Sequence, residues 1–328
     1  MVCWTRVMSQ SKHKARLRRA WFDRGVEALN YTVHVTIDDD PPGLHYACPL
    51  CFLFYGEESL DDGGLTLEDV PPKSVGGKPM ALTCQPCNST AGTKVDAHAD
   101  KHLKFTLAKA GIKGTLEGTI NDGVHAEFDF SDSDAVKIFV DGSLSNPAVR
   151  KKLEAHLDEM VAGAALDPHL FDVKMKTGFK PEAAGLSYLR AAYLVLFAKL
   201  GYRAVLSEAY LPLRQQLQSL DTLTLPWLPT MATHGLAPGF YGAEHESIGP
   251  TVLVVFEHTC VALPGTLEDA GWWERSAVCA AAKDLSFSFS NQTALPTEPM
   301  YEYDFKKPKK PVDECAALPV FGEQSTMD

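Results

Sequence analysis

Residues 48–94, CPLCFLFYGEESLDDGGLTLEDVPPKSVGGKPMALTCQPCNSTAGTK, decide the fold. Cys48 and Cys51 form one Cys-x-x-Cys knuckle, and Cys84 and Cys87 form a second. Four thiolates in two such knuckles close a tetrahedral zinc site, which leaves no position for a reactive water and makes the expected zinc structural. The 32 residues between the knuckles exceed the usual ribbon spacing, so this loop must carry structure of its own. It reads as a strand, a turn at Pro71-Pro72, a turn at Gly76-Gly77 and a second strand. Asn88, Ser89 and Thr90, which follow the second knuckle, are residues that begin helices.

Three blocks inside this stretch carry a resemblance: residues 65–72 (LTLEDVPP), 73–77 (KSVGG) and 82–88 (LTCQPCN). Together they resemble the HNH endonuclease family in its zinc-stapled ββα-metal, or treble-clef, form. There, two Cys pairs hold a hairpin and a helix around one metal while a second metal does chemistry. The family's first block has an acid, a general-base histidine, an apolar residue and proline. Here Asp69 stands at the histidine position, and Pro79 stands where the family has its middle asparagine. The resemblance implies that Glu68 and Asn88 ligate Mg2+ or another divalent cation and that Asp69 orients or deprotonates the attacking water. A carboxylate at its ordinary pKa of about 4 is a weaker base at neutral pH than imidazole. An adjacent carboxylate such as Glu68 raises it.

Two functions follow from the resemblance. One is a metal-dependent endonuclease that hydrolyses phosphodiester bonds of nucleic acid, with DNA the expected substrate. The other is an HNH-derived zinc module that has lost its base and binds nucleic acid or a protein partner. A plain structural zinc domain inside an unrelated enzyme is the third reading.

Charge patterning outside the motif bears on both. The formal net charge of −11 excludes a protein that coats nucleic acid over its whole surface. Residues 10–24 run against that trend, with Lys12, Lys14, Arg16, Arg18, Arg19 and Arg24 against the single acid Asp23 and no helix breaker. A basic helix or arm of this kind neutralises phosphates. Arg16, Arg18 and Arg19, with Lys73 beside the motif, are the expected nucleic-acid contacts. The basic run at residues 306–310 is broken by Pro308 and reads as a surface linker, and residues 311–328 read as a partly disordered tail.

The remaining chain is read by period. Residues 33–37 form a leading strand and 38–42 an Asp- and Pro-rich turn. Residues 95–110 are helical and place His98 and His102 on one face. Residues 112–140 alternate as a meander with its hairpin turn at Asn121-Asp122-Gly123, and 146–162 form an amphipathic helix with Leu153 and Leu157 inward. Residues 186–202, LSYLRAAYLVLFAKLGY, are the strongest helix, with Tyr193, Phe197 and Tyr202 as core and Gly201 as its C-terminal stop. The last third reads as β-structure containing His234, His245 and His258.

The expected fold is α+β: a small zinc-bound ββα module at 41–110, after a basic arm and leading strand at 1–40, attached to a larger mixed sheet-and-helix domain at 111–328. Without an 18-residue apolar run or a secretory signal, a cytoplasmic location is expected. The Cys residues outside the knuckles show no disulfide spacing.

Overall fold

The computed structural model describes residues 3–32, 45–109, 114–130, 137–161, 172–175, 178–222, 224–225, 230–232, 236–282 and 287–293. The expected leading strand and acidic turn at 33–42, His234, the basic run at 306–310 and the tail lie outside these residues. The chain is a mixture of helices and several small antiparallel sheets, and it divides into two compact units. Residues 1–97 and 182–328 make the first, and residues 98–181 the second.

In the first unit, α1 (Cys3–Thr32) contains the basic segment as part of one long helix. Trp21, Phe22, Val26 and Leu29 recur on one buried face of it, while Lys12, Lys14 and Arg16 are exposed. Phe22 stacks on Tyr46, which lies in β1 (Tyr46–Ala47) and so fixes α1 against the first knuckle. β1 pairs with β2 (Phe54–Tyr55), bringing the chain back on itself around Cys48 and Cys51. The expected hairpin follows as β3 (Leu65–Val70) and β4 (Lys78–Cys84), antiparallel with a register shift between Glu68 and Asp69. Gly77 is required at the turn, because a Cβ there would sit 1.4 Å from the carbonyl oxygen of Pro71.

The helix after the hairpin, α2 (Gln85–Ala91), starts three residues earlier than the Asn-Ser-Thr signal implies. Pro86 occupies the first turn, where its missing N–H has no helical partner to lose. Gly92 keeps helical angles and opens a single π turn, residues Gly92–Asp96.

Beneath this module runs α5 (Pro181–Leu206), buried on every side through most of its length. It is long and apolar enough to cross a bilayer, but 89% of its apolar window is buried within the protein, as in a core helix. Gly201 has φ of +70° and bends the helix, which resumes to Leu206 instead of ending there. A short helix, α6 (Leu211–Gln218), follows. Beyond it lies a five-stranded antiparallel sheet, in the order β13-β10-β11-β12-β9. Its strands are β9 (Thr230–Ala232), β10 (Gly239–His245), β11 (Gly249–Val255), β12 (Thr259–Pro264) and β13 (Ser288–Thr293). A further helix, α7 (Trp272–Ala281), is tied to β11 by Trp272 Nε1, which donates to Thr251 Oγ1 over 3.1 Å.

The second unit contains α3 (Ala97–Lys109, beyond its first residue), β5 (Thr115–Ile120), β6 (Val124–Asp129), β7 (Lys137–Val140), α4 (Pro147–Val161) and β8 (Val173–Met175). Its sheet order is β7-β6-β5-β8. Asn121 and Asp122 both take positive φ, as the two central residues of a type I′ hairpin turn require. Leu153 packs against Ile120, Val124 and Phe128, whereas Leu157, expected inward, is 41% exposed. His98 and His102 are committed locally. His98 Nδ1 accepts the Lys180 backbone N–H over 3.0 Å, and His102 meets Phe179 edge-on while burial lowers its pKa.

Candidate metal centre

Cys48, Cys51, Cys84 and Cys87 converge, with their ligand atoms all within 4.8 Å of one another. The Cys51 and Cys84 sulfurs are 3.7 Å apart. A disulfide would need about 2.05 Å. A tetrahedron of sulfurs at about 2.3 Å from a central zinc has edges of about 3.8 Å. The four residues therefore fit a metal ion such as zinc, and as thiolates they would hold it without a water ligand.

Local backbone structure explains the convergence. The first knuckle folds over itself: Phe52 N donates to Cys48 O over 2.8 Å and Cys48 N to Leu53 O over 3.0 Å. Closing the turn places Phe52 at φ +60°, the left-handed region that glycine occupies without strain. The second knuckle begins where β4 becomes α2, and Cys84 N points at Cys48 Sγ over 3.4 Å. That N–H stabilises negative charge on the sulfur. Hydrogen bonds among the thiols, with Cys48 the foremost partner, lower the pKa of Cys51 and Cys84. The same sharing raises Cys48, chiefly through Cys51, and Cys87, chiefly through Cys48.

α5 holds this knuckle from below. Tyr193 Oη donates to Pro49 O over 2.9 Å, and Tyr202 Oη donates to Ala47 O. These two tyrosines are core residues as expected, but their hydroxyls also satisfy buried carbonyls on both sides of Cys48.

The implied second-metal ligands lie on the hairpin face toward α2 and α5. β3 turns Thr66 and Glu68 to the same side, and Asn88 Nδ2 donates to Thr66 Oγ1 over 3.0 Å. Glu68 is only 3% exposed, and both its oxygens are engaged. Oε2 accepts from Thr83 Oγ1 over 2.9 Å, and Oε1 accepts from Arg190 Nη1 over 2.8 Å. Arg190, itself 3% exposed, thus supplies the positive charge at the carboxylate that the resemblance assigns to a divalent ion.

Burial works against the Arg190 charge, but Glu68, and then Asp96, more than offset it and raise the pKa. Asp96 sits at the end of the π turn and accepts from Ser187 Oγ over 2.7 Å. Burial raises its pKa, while Arg190 and the Ser187 bond oppose the rise.

Asp69 follows Glu68 in β3, so strand alternation assigns it to the opposite face of the hairpin. It is half-buried, and burial followed by the Glu68 charge raises its pKa, while Lys73 and Lys14 oppose the rise. Lys73 is exposed in the turn between the strands. Arg16 is exposed and Arg18 half-buried, whereas Arg19 pairs with Asp23 over 2.9 Å and with Glu57.

The residue that sequence reasoning passed over is Arg190. Its signal was present: an arginine in the middle of the apolar run Leu186–Phe197 is not buried unless a carboxylate meets it. No protein-family profile, curated protein or solved structure matches this chain.

Proposed function

We propose that this chain is a nucleic-acid-binding protein built on a zinc-stapled, HNH-like treble-clef module, with Zn2+ structural and the second-metal position taken over by Arg190. The observation that carries this reading is the buried Glu68–Arg190 pair at 2.8 Å. A carboxylate that already gives one oxygen to a guanidinium and the other to Thr83 has no oxygen directed at a hydrated Mg2+.

Nucleic acid is favoured as partner by the exposed Lys12, Lys14 and Arg16 on α1 and by Lys73. Lys14 and Lys73 both act on Asp69, so the helix and the hairpin turn contribute to one basic neighbourhood within an acidic chain. Fluorescence anisotropy with labelled duplex DNA, single-stranded DNA and RNA across a salt series tests this. Binding should weaken with salt, and Lys14→Glu or Lys73→Glu should each lower the slope of log K against log salt by about 1. Salt-insensitive binding, or none to any of the three, would remove the proposal.

A second reading, phosphodiester hydrolysis, is favoured by Asp69. A half-buried carboxylate with a raised pKa beside two lysines has the properties of a weak general base next to phosphate-binding groups. Plasmid nicking in Mg2+ or Mn2+ that disappears in Asp69→Asn would establish that reading over the first.

A further inference from the structure

Arg190 uses only part of its guanidinium on Glu68. Its Nη2 is buried and has no hydrogen-bond partner among the described residues. Because that nitrogen has almost no accessible surface, water in the neighbouring cavity cannot reach it as placed, and a buried N–H left unpaired is costly. The candidate acceptors are atoms of the protein packed close by.

Two of the four cysteines line a cavity next to this arginine. A cavity of about 470 Å³ is lined by Arg190 together with Cys51, Cys87, Thr90 and Lys94. Three residues along α5, on the same helical face, Tyr193 already bonds the Pro49 carbonyl inside the first knuckle. The charge balance points the same way. Four thiolates around Zn2+ carry a net charge of −2, and Glu68 adds another negative charge nearby. Lys94, the other cation lining this cavity, is paired with Asp221 at 2.6 Å. Cys87 in turn acts electrostatically on Arg190.

We propose that Arg190 is a positioning residue for the metal centre as well as for the hairpin: in the zinc-loaded protein one arm of its guanidinium holds Glu68 and the other donates to the Cys87 thiolate. The arginine then links zinc occupancy to the conformation of the hairpin through a single buried cation. This rests on the four-cysteine metal site and is independent of whether nucleic acid is bound.

The test is zinc affinity of the full chain, measured by competition with a chromophoric chelator, in wild type, Arg190→Met, Arg190→Lys and the charge-neutral double variant Glu68→Gln/Arg190→Met. Outer partners of metal ligands are worth about 10–100-fold in affinity. Arg190→Met should bind zinc weaker by that factor, and Arg190→Lys should recover part of it. The double variant, which leaves no unpaired buried charge, should fold and yet remain as weak for zinc as Arg190→Met.

Cobalt substitution supplies a readout that a purely structural role would not move. Loss of a hydrogen bond to a thiolate raises the sulfur donor level, so the thiolate-to-cobalt charge-transfer band should shift to longer wavelength in the double variant. A folded double variant that binds zinc as tightly as wild type, with an unshifted cobalt band, overturns the role of Arg190. Wild-type protein that takes up no zinc overturns the metal centre itself, and this role with it.

Discussion

Replacing Glu68 by alanine separates a structural carboxylate from one held ready for an ion. Glu68 and Arg190 are 2.8 Å apart, with side chains 4% and 3% exposed. Removing one partner of such a pair leaves the other as an uncompensated buried charge, at a cost of about 3–5 kcal/mol. Thr83 also loses its acceptor. Against a typical domain stability of about 5–15 kcal/mol, a loss of about 3–5 kcal/mol in Glu68→Ala should remove a fifth or more of the total. The paired change Glu68→Leu/Arg190→Met exchanges the ion pair for apolar groups of similar volume and should recover the cost of the unpaired charge, remaining below wild type only by the weaker zinc binding expected without Arg190, about 1.4–2.7 kcal/mol for a 10–100-fold loss. Urea unfolding at a fixed saturating zinc concentration measures both, since bound metal itself shifts the midpoint. A carboxylate kept apart for a divalent ion behaves in the opposite way, because its removal relieves repulsion and leaves stability unchanged or higher. Glu68→Ala within about 1 kcal/mol of wild type would refute the reasoning.

Three further outcomes are expected. Tyr193→Phe and Tyr202→Phe each remove a buried hydrogen bond to a knuckle carbonyl and should destabilise by about 0.5–1.5 kcal/mol in the same urea assay. Phe52→Gly relieves a side chain at φ +60° and should stabilise the protein by about 1 kcal/mol, visible as a raised unfolding midpoint. For Asp69 the raised pKa means that folding penalises the charged form. Stability is lost as pH rises from the unfolded-state value through the raised folded one, and the penalty is absent below both. Asp69→Asn should therefore be more stable than wild type near neutral pH and equal to it in acid, as compared by urea unfolding at the two pH values.

The knuckles were legible because metal chemistry imposes a spacing that needs no knowledge of the fold, and the hairpin because Pro71-Pro72 and Gly76-Gly77 punctuate it. Asn121-Asp122 was legible for the same reason: few residues tolerate two successive positive φ angles. The Glu68 environment was not, because its partner lies 122 residues away. A local motif states which residue types neighbour one another, and it is silent on which distant helix packs over them. Gly92 and Gly201 show the converse limit. Both are glycines in helical stretches, yet one continues through a π turn and the other bends its helix. The last third was read as β-structure throughout, which missed α7 and left β10 without bounds. The glycines and polar residues of β10 dilute its alternation, and the apolar face of α7 rests mainly on Trp272 and Trp273 in its first turn.

The most direct test of the account is X-ray absorption at the zinc edge of the purified, full-length protein. Four sulfur neighbours at about 2.3 Å, with no oxygen or nitrogen in the first shell, is the result required by a metal held between the two knuckles. A shell containing oxygen or nitrogen, or protein without stoichiometric zinc, would contradict it.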